Sequence, residues 1–363
     1  MTNVIFVTHS LEMAGAERLV VELASRLPAK GFETSVVTVL SGGALEHLLA
    51  EGDVRVFAIP RRGFFGLATI CALYRAFRAE RPEIVHTHLF LADTWGRLAA
   101  WLARVPVIVS TEHNVNPTYG FFHRLTNALL SFLTDAHIAV SGDVKAELHR
   151  VEGVSLKKIR VILNGIDLGR VVPRGTRPFR DVPRLITVGR LHPQKDHATL
   201  LKALALIKRP WRLQIVGVGP LEGELRALAE RLHLSSRIEW LGAREDVPEL
   251  LAASDAFCFP SRYEGFGLAA VEAAAAGVPM IASDLPPLRE ILAGDDALFP
   301  PSGDVSAWAD AIRRTLDDPT AAVLRANRAV PKVAAAASLD RMVEQHAKLY
   351  RELLKKAGRR VGR

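Results

Sequence analysis

Apolar residues in this chain follow two alternating rhythms. Short, nearly unbroken apolar runs read as buried strands, and longer stretches with apolar residues about every 3.6 positions read as helices. The first run is NVIFVTHS. A loop and helix in LEMAGAERLVVELASRLPAKG follow it, and FETSVVTVL and VRVFAIP are the next strands. GFFGLATICALYRAFRAERP reads as a helix stopped by Pro82, then EIVHTHL as a strand and ADTWGRLAAWLARV as a helix. PVIVSTEHN, the helical FFHRLTNALLSFLTD and strand AHIAVS complete the series. Strands that alternate with helices, and that lack a polar face, predict a parallel sheet covered on both sides.

The rhythm breaks after KIRVILNGID. Residues 168–183 are rich in Arg, Pro and Gly and read as a linker. A second series then begins, with strands RLITVG, RLQIVG, IEWLG, AFCFP and MIASD and helices such as HATLLKALALIK and EGELRALAERLHL. The expected fold class is α/β, with two doubly wound domains at 1–167 and 184–338. An amphipathic C-terminal helix with a basic tail occupies 339–363. Open α/β sheets bind ligands beyond the carboxyl ends of their strands, so the expected site is a cleft between the two domains.

Composition narrows the classes. The chain has 363 residues, 49% of them hydrophobic, enough for two such domains. No apolar run is long enough for a membrane-spanning helix, and the N-terminus enters a strand without a basic leader. The expected location is therefore the cytoplasm. A net charge of +8 suits an anionic substrate or the inner face of an anionic membrane. The stretch GFFGLATICALYRAFR, with Arg61, Arg62, Arg75, Arg78 and Arg81 around it, is a candidate for such peripheral contact, against an ordinary helix with a solvated basic face. Basic residues interleaved with aromatics for base stacking are missing, which argues against nucleic acid. Cys71 and Cys258 both lie in apolar segments and read as buried thiols in a reducing compartment.

Candidate chemistry sits at strand ends. The stretch from Phe259 to Asp284 reads as strand end, loop, helix and strand start. It carries Glu264 in a glycine-flanked loop and Glu272 on the helix. Carboxylates accept hydrogen bonds from hydroxyls, and a glycine-preceded helix start favours anions, so a ligand with both hydroxyls and phosphates fits. The two acids share one loop and helix, so they do not face each other like a glycosidase pair. Arg190 and Lys195 in VGRLHPQKDH follow a strand and form a candidate diphosphate clamp, a planar fork beside a point charge. Gly15 before the first helix either admits a phosphate or makes a simple turn. His86 and His88 point to one strand face. No ligand-spaced Cys or acid accompanies them, so no metal is expected. His113 also ends a strand and can hydrogen-bond a sugar hydroxyl. Gly217 and Gly219 in IVGVGPL read as a tight turn into a helix. Arg244 follows another strand, in LGARED.

Taken in order, GAER, VHTHL, STEHN, NGID, VGRLHPQKD, IVGVGPL and PSRYEGFGLAAVEAAAAGVPMIASD resemble the retaining glycosyltransferases of family 4, which have the GT-B fold of two facing Rossmann-like domains. The resemblance covers essentially the whole chain. GAER departs from it slightly, since many members have two glycines there. It implies metal-independent transfer from a nucleoside diphosphate sugar to a hydroxyl of a glycan or lipid-linked acceptor, with no cofactor. Gly15 would lie near the distal phosphate, and Arg190 and Lys195 would neutralise the leaving diphosphate. Glu264, with the backbone of Phe266, Gly267 and Leu268, would hold the donor sugar. Glu272 would bind ribose, and His113 would contact the sugar near its reacting carbon. The resemblance also implies a site completed by domain closure. A nucleotide-sugar epimerase and a non-catalytic nucleotide-sugar-binding protein are the rival readings, and UDP, GDP and ADP are all admitted as the leaving group.

Overall fold

In the computed structural model, residues 1–59, 66–115, 117, 120–292 and 295–361 are described, the last three by backbone alone. Arg61 and Arg62 lie outside the described residues. The chain divides into two compact units, Met1–Gly165 together with Leu339–Arg363, and Ile166–Ser338.

Among the described residues, the first unit holds seven strands: β1 (Thr2–Thr8), β2 (Phe32–Thr38), β3 (Arg55–Ala58), β4 (Ile84–His88), β5 (Val107–Glu112), β6 (Ala136–Ala139) and β7 (Ile159–Val161). They form one sheet in the order β3-β2-β1-β4-β5-β6-β7, every neighbouring pair parallel. Its helices are α1 (Gly15–Arg26), α2 (Glu46–Glu51), α3 (Leu67–Glu80), α4 (Phe90–Leu102), α5 (Phe121–Ser131) and α6 (Gly142–Arg150). Val4, Ile5, Phe6 and Val7 are all fully buried, which explains why β1 shows no polar alternation.

The second unit holds β8 (Arg184–Val188), β9 (Arg212–Val216), β10 (Ile238–Gly242), β11 (Ala256–Phe259) and β12 (Met280–Ala282), in the order β10-β9-β8-β11-β12 and again all parallel. Its helices are α7 (His197–Ala205), α8 (Glu222–Arg231), α9 (Val247–Ala252), α10 (Leu268–Ala275), α11 (Pro286–Arg289), α12 (Val305–Asp317) and α13 (Pro319–Ala336). Trp211 and Trp308 are buried in its core with Leu213, Ile215 and Cys258. The final helix, α14 (Leu339–Val361), belongs to the first unit and packs on α1 and β5. Met342, Val343, His346, Ala347, Tyr350 and Leu353 form its buried stripe.

Two expectations need correction. Residues 168–183 are part of the second unit rather than a free connector. The reason is electrostatic: Arg177 Nη1 lies 2.6 Å and Arg180 Nη1 3.1 Å from the buried carboxylate of Asp255, and Arg174 is buried beside it. The Arg184 amide also donates to Asp255, at 2.8 Å. Arginine-rich composition suggested solvent, but a shared carboxylate lets these side chains pack. Cys71 is exposed on α3, while Cys258 is buried. α3 buries only Thr69, Leu73 and Phe77, and the intervening Cys71 faces outward.

In both sheets the strand order reverses once, between β1 and β4 and between β8 and β11. Loops leaving neighbouring strands at such a point run to opposite sides and open a crevice. Gly15, His86 and His88 lie at the first reversal, and Arg190, Lys195 and Glu264 at the second, with His113, Gly217 and Gly219 one strand away.

Candidate functional site

In the second unit, loops after β8, β9 and β11 meet at the reversal. Gly217 has φ +131°, and a Cβ there would stand 2.1 Å from the Gly189 carbonyl oxygen. A Cβ on Gly219 would stand 2.4 Å from the Leu191 carbonyl. The glycine pair therefore does more than turn the chain. It lets the β9 loop seat against the Arg190 loop, and Gly189 N–H and Leu191 N–H donate to the carbonyls of Val216 and Val218, each at 3.0 Å. Backbone bonds on both sides hold Arg190, whose side chain is exposed and has no partner among the described residues.

The β8 and β11 loops are stitched together. Gln194 Nε2 donates to the Tyr263 carbonyl at 2.9 Å, and the Arg262 amide donates to the Gln194 carbonyl at 2.8 Å. Arg262 Nε donates to Asp196 at 3.1 Å, and Asp196 in turn caps α7 through the Thr199 amide. Between these stitches Lys195 Nζ donates to Glu264 Oε1 at 2.6 Å. The Lys195 ammonium also lies 5.0 Å from the Phe259 ring centroid. Both side chains are largely buried, at 18% and 8% exposure, so the pair is held in one geometry and is shielded from water. The expectation gave these two residues separate tasks; the structure joins them. The ammonium keeps further N–H donors, and the second Glu264 oxygen remains an acceptor.

Past Glu264 the chain enters α10 through Gly267, whose φ of +87° a side chain would strain. Phe266 is buried, at 2% exposure, and anchors the turn. The N–H groups of Phe266, Gly267 and Leu268 find no acceptor among the described residues, leaving a helix N-terminus with donors to offer. Glu272 follows one turn later, half-buried on the same helix. Arg244 is not a free cation: it is exposed and pairs with Asp246 through two contacts of 2.7 and 2.6 Å.

In the first unit the reversal is lined by histidines. His86 and His88, at the end of β4, are both buried, with ring centroids 4.2 Å apart. His86 Nδ1 lies 2.6 Å from the Tyr350 hydroxyl of α14 and its Nε2 lies 2.7 Å from Thr111 Oγ1. His88 Nδ1 lies 2.9 Å from Nε2 of His113, which follows β5. Burial holds His86 and His88 well below the ordinary histidine range and takes His113 and His346 down to about 4. All four are neutral at pH 7. His88 Nε2 is buried and has no hydrogen-bond partner among the described residues. A buried orphan N–H costs more than a bare lone pair, so the His88 proton sits on Nδ1 and is donated to His113. His113 then carries its own proton on Nδ1. His9, just beyond β1, accepts from the Leu91 amide at 2.9 Å and steadies the start of α4. Gly15 opens α1, whose N-cap Ala14 supplies no side-chain acceptor.

Sequence reasoning missed Gln194, Asp196, Arg262, His9 and Tyr350. The first three flank recognised residues, so proximity in the motifs was the available signal. Tyr350 had none, since it arrives from the distant C-terminal helix.

Two family models and several known proteins match this chain along most of its length. Residues 13–170 match the family model for Glycosyltransferase Family 4, and residues 174–331 match that for Glycosyl transferases group 1. EpsF of Bacillus subtilis (strain 168), which carries a glycosyltransferase name, is 31% identical over 86% of this chain and 87% of its own length. The UDP-Gal:alpha-D-GlcNAc-diphosphoundecaprenol alpha-1,3-galactosyltransferase of Escherichia coli is 27% identical over 87% of this chain and 88% of its own. Among solved structures, Anabaena Alr3699/HepE in complex with UDP and glucose superposes with a TM-score of 0.88 at 21% identity, covering 97% of this chain and all of that one (100%). The fold is GT-B, and the chain belongs to the group 1, family 4 glycosyltransferases.

Proposed function

We propose that the chain is a retaining hexosyltransferase that takes a nucleoside diphosphate sugar as donor and a hydroxyl of a glycan or lipid-linked molecule as acceptor, in cell-surface glycan, polysaccharide or glycolipid synthesis. The observation that carries this reading is the second unit's strand-end cluster: unpaired Arg190, the Lys195–Glu264 pair, and open N–H groups at α10. It offers positive charge, a fixed acceptor and anion-binding donors together. Names among the relatives agree, since the Escherichia coli enzyme uses UDP-Gal and a diphosphoundecaprenol acceptor.

In this mechanism the acceptor oxygen forms a bond to the sugar's anomeric carbon while the bond from that carbon to the phosphate oxygen breaks. The bonding pair leaves with the diphosphate, which takes the acceptor proton on the same face, so configuration is kept. Arg190 and Lys195 neutralise the charge that builds on the departing oxygens, a preorganised role worth a factor of about 10²–10³ per donor in comparable sites. No metal ion or cofactor is assigned a part. The free Glu264 oxygen and the N–H groups of Phe266, Gly267 and Leu268 hold the donor sugar's hydroxyls, and Glu272 holds the ribose. In the first unit, Gly15 lets the distal phosphate approach α1, and neutral His113 offers its Nδ1–H to the sugar near the reacting carbon. The same reading puts the enzyme in the cytoplasm, at the inner membrane face when the acceptor is lipid-linked.

The test is release of nucleoside diphosphate from UDP-, GDP- and ADP-sugars with and without candidate acceptors. Acceptor-dependent release with a retained anomeric product supports the reading, and Arg190→Ala should cut turnover by about 10²–10³. Donor conversion without acceptor would replace it with an epimerase, and an unchanged Arg190→Ala enzyme would remove the clamp.

A further inference from the structure

Helix α5 is built inside out. Its buried residues are polar, Asn127 and Ser131. Asn127 accepts from Arg97 at 2.8 Å and donates to Glu152 at 2.9 Å, so the inward face is anchored by a buried polar network. The outward face is apolar: Phe121 is 72% exposed, Phe122 79%, Leu125 42%, Leu129 58%, and Phe132 just past the helix 80%. At about 100° per residue these five positions fall within an arc of roughly 100°, a continuous stripe opposite Asn127. A stripe of that width is what a helix normally turns toward a core, and an exposed one marks an interaction surface.

The charged residues of α5 itself and of the segment 155–161 are all cations, while the nearby carboxylates Asp135 and Glu152 are engaged by the Ile108 amide and by Asn127. Lys158 Nζ donates to the carbonyls of Ser131 at 2.7 Å and Thr134 at 2.9 Å, which fastens the segment Leu156–Lys158 to the end of α5. Leu156 and Lys157 on that segment are exposed, as is Arg160 on β7 just after it. Across 121–134 and 155–161 the charged residues are Arg124, Lys157, Lys158 and Arg160, with no carboxylate among them. A second copy docked through the same patch would set these cations against each other. An anionic surface that also accepts phenyl rings would complement them. α3, the element that sequence singled out for membrane contact, is the weaker candidate: its apolar Leu73 and Phe77 are buried in the unit's own core.

We infer that the α5 stripe and its cationic flank form a docking surface for an anionic phospholipid bilayer. The inference extends the lipid-linked-acceptor reading proposed above, but its test does not depend on transfer. Full-length protein is floated with vesicles of phosphatidylglycerol and phosphatidylcholine, and with phosphatidylcholine alone. Binding is expected on the anionic vesicles, weakened by high salt, and lowered roughly tenfold or more by Phe122→Ser with Phe132→Ser and by Lys157→Glu with Arg160→Glu. Circular dichroism and thermal melting of the same variants check that they fold, which leaves the donor reading to stand or fall separately. Failure of the wild-type protein to float, or equal flotation of folded variants, would overturn the inference. A dimer that the phenylalanine substitutions dissolve would overturn it too, in favour of a self-association face.

Discussion

The two units place polar side chains at the same point of the same scaffold, where a parallel sheet reverses its strand order, yet they treat charge in opposite ways. In the first, His86, His88, His113 and His346 are held neutral by burial. In the second, Lys195 and Glu264 share one ion pair and Arg190 reaches solvent. The difference teaches that the scaffold fixes where chemistry can sit, while pairing and solvent access fix which protonation state survives. A histidine without a carboxylate partner gives up its proton on burial; a lysine beside a glutamate remains an ion pair.

The largest effect that separates the units is acid sensitivity. Below pH 6.5 the unfolded histidines take up protons that the folded ones refuse. This stabilisation is complete above pH 6.5 and is lost as the pH falls toward the folded values, about 4 for His346. For a fully buried histidine the loss at pH 5 is about 2 kcal/mol. Glu152 works against this trend: burial raises it to about 7, so between pH 4.5 and 7 the folded state is the one that favours the proton. His197 is the second unit's counterpart, also lowered to about 4. The histidines outweigh Glu152, and hydrogen exchange at pH 7 and pH 5 should show β4 and β5 losing more protection than β8 and β11. Equal losses would dissolve the contrast.

A smaller effect sharpens it. Nitrogen-15 spectra of labelled histidines should show His113 protonated on Nδ1. His88→Asn, which keeps a donor near the Nδ1 position, should preserve that tautomer and most of the turnover; His88→Phe should lose both. A proton found on His113 Nε2 would reverse the assignment.

Much of this was legible in the sequence. Apolar runs between helical periods gave both sheets, and Arg190, Lys195, Glu264 and His113 stood out because they follow or end predominantly apolar strands. What escaped was everything made by distant partners. Lys195 meets Glu264 across 69 positions, and Arg177 meets Asp255 across 78, so neither pair has a local signal. Amphipathic periodicity showed that FFHRLTNALLSFLTD is a helix, but not which face is turned inward. Inversion of α5 depends on Arg97 and Glu152 waiting for Asn127. Cys71 failed for a related reason, since an apolar segment does not say which of its residues a helix turns outward.

The central claim is that fixed cations of the second unit, without a metal, hold the diphosphate. Calorimetric titration of the wild-type protein and Arg190→Ala with UDP, GDP and ADP, each with and without a chelator, tests it most directly. The account predicts that one nucleotide binds tightly, that the chelator changes nothing, and that Arg190→Ala loses most of the affinity. Binding abolished by the chelator, or undiminished in Arg190→Ala, would contradict it.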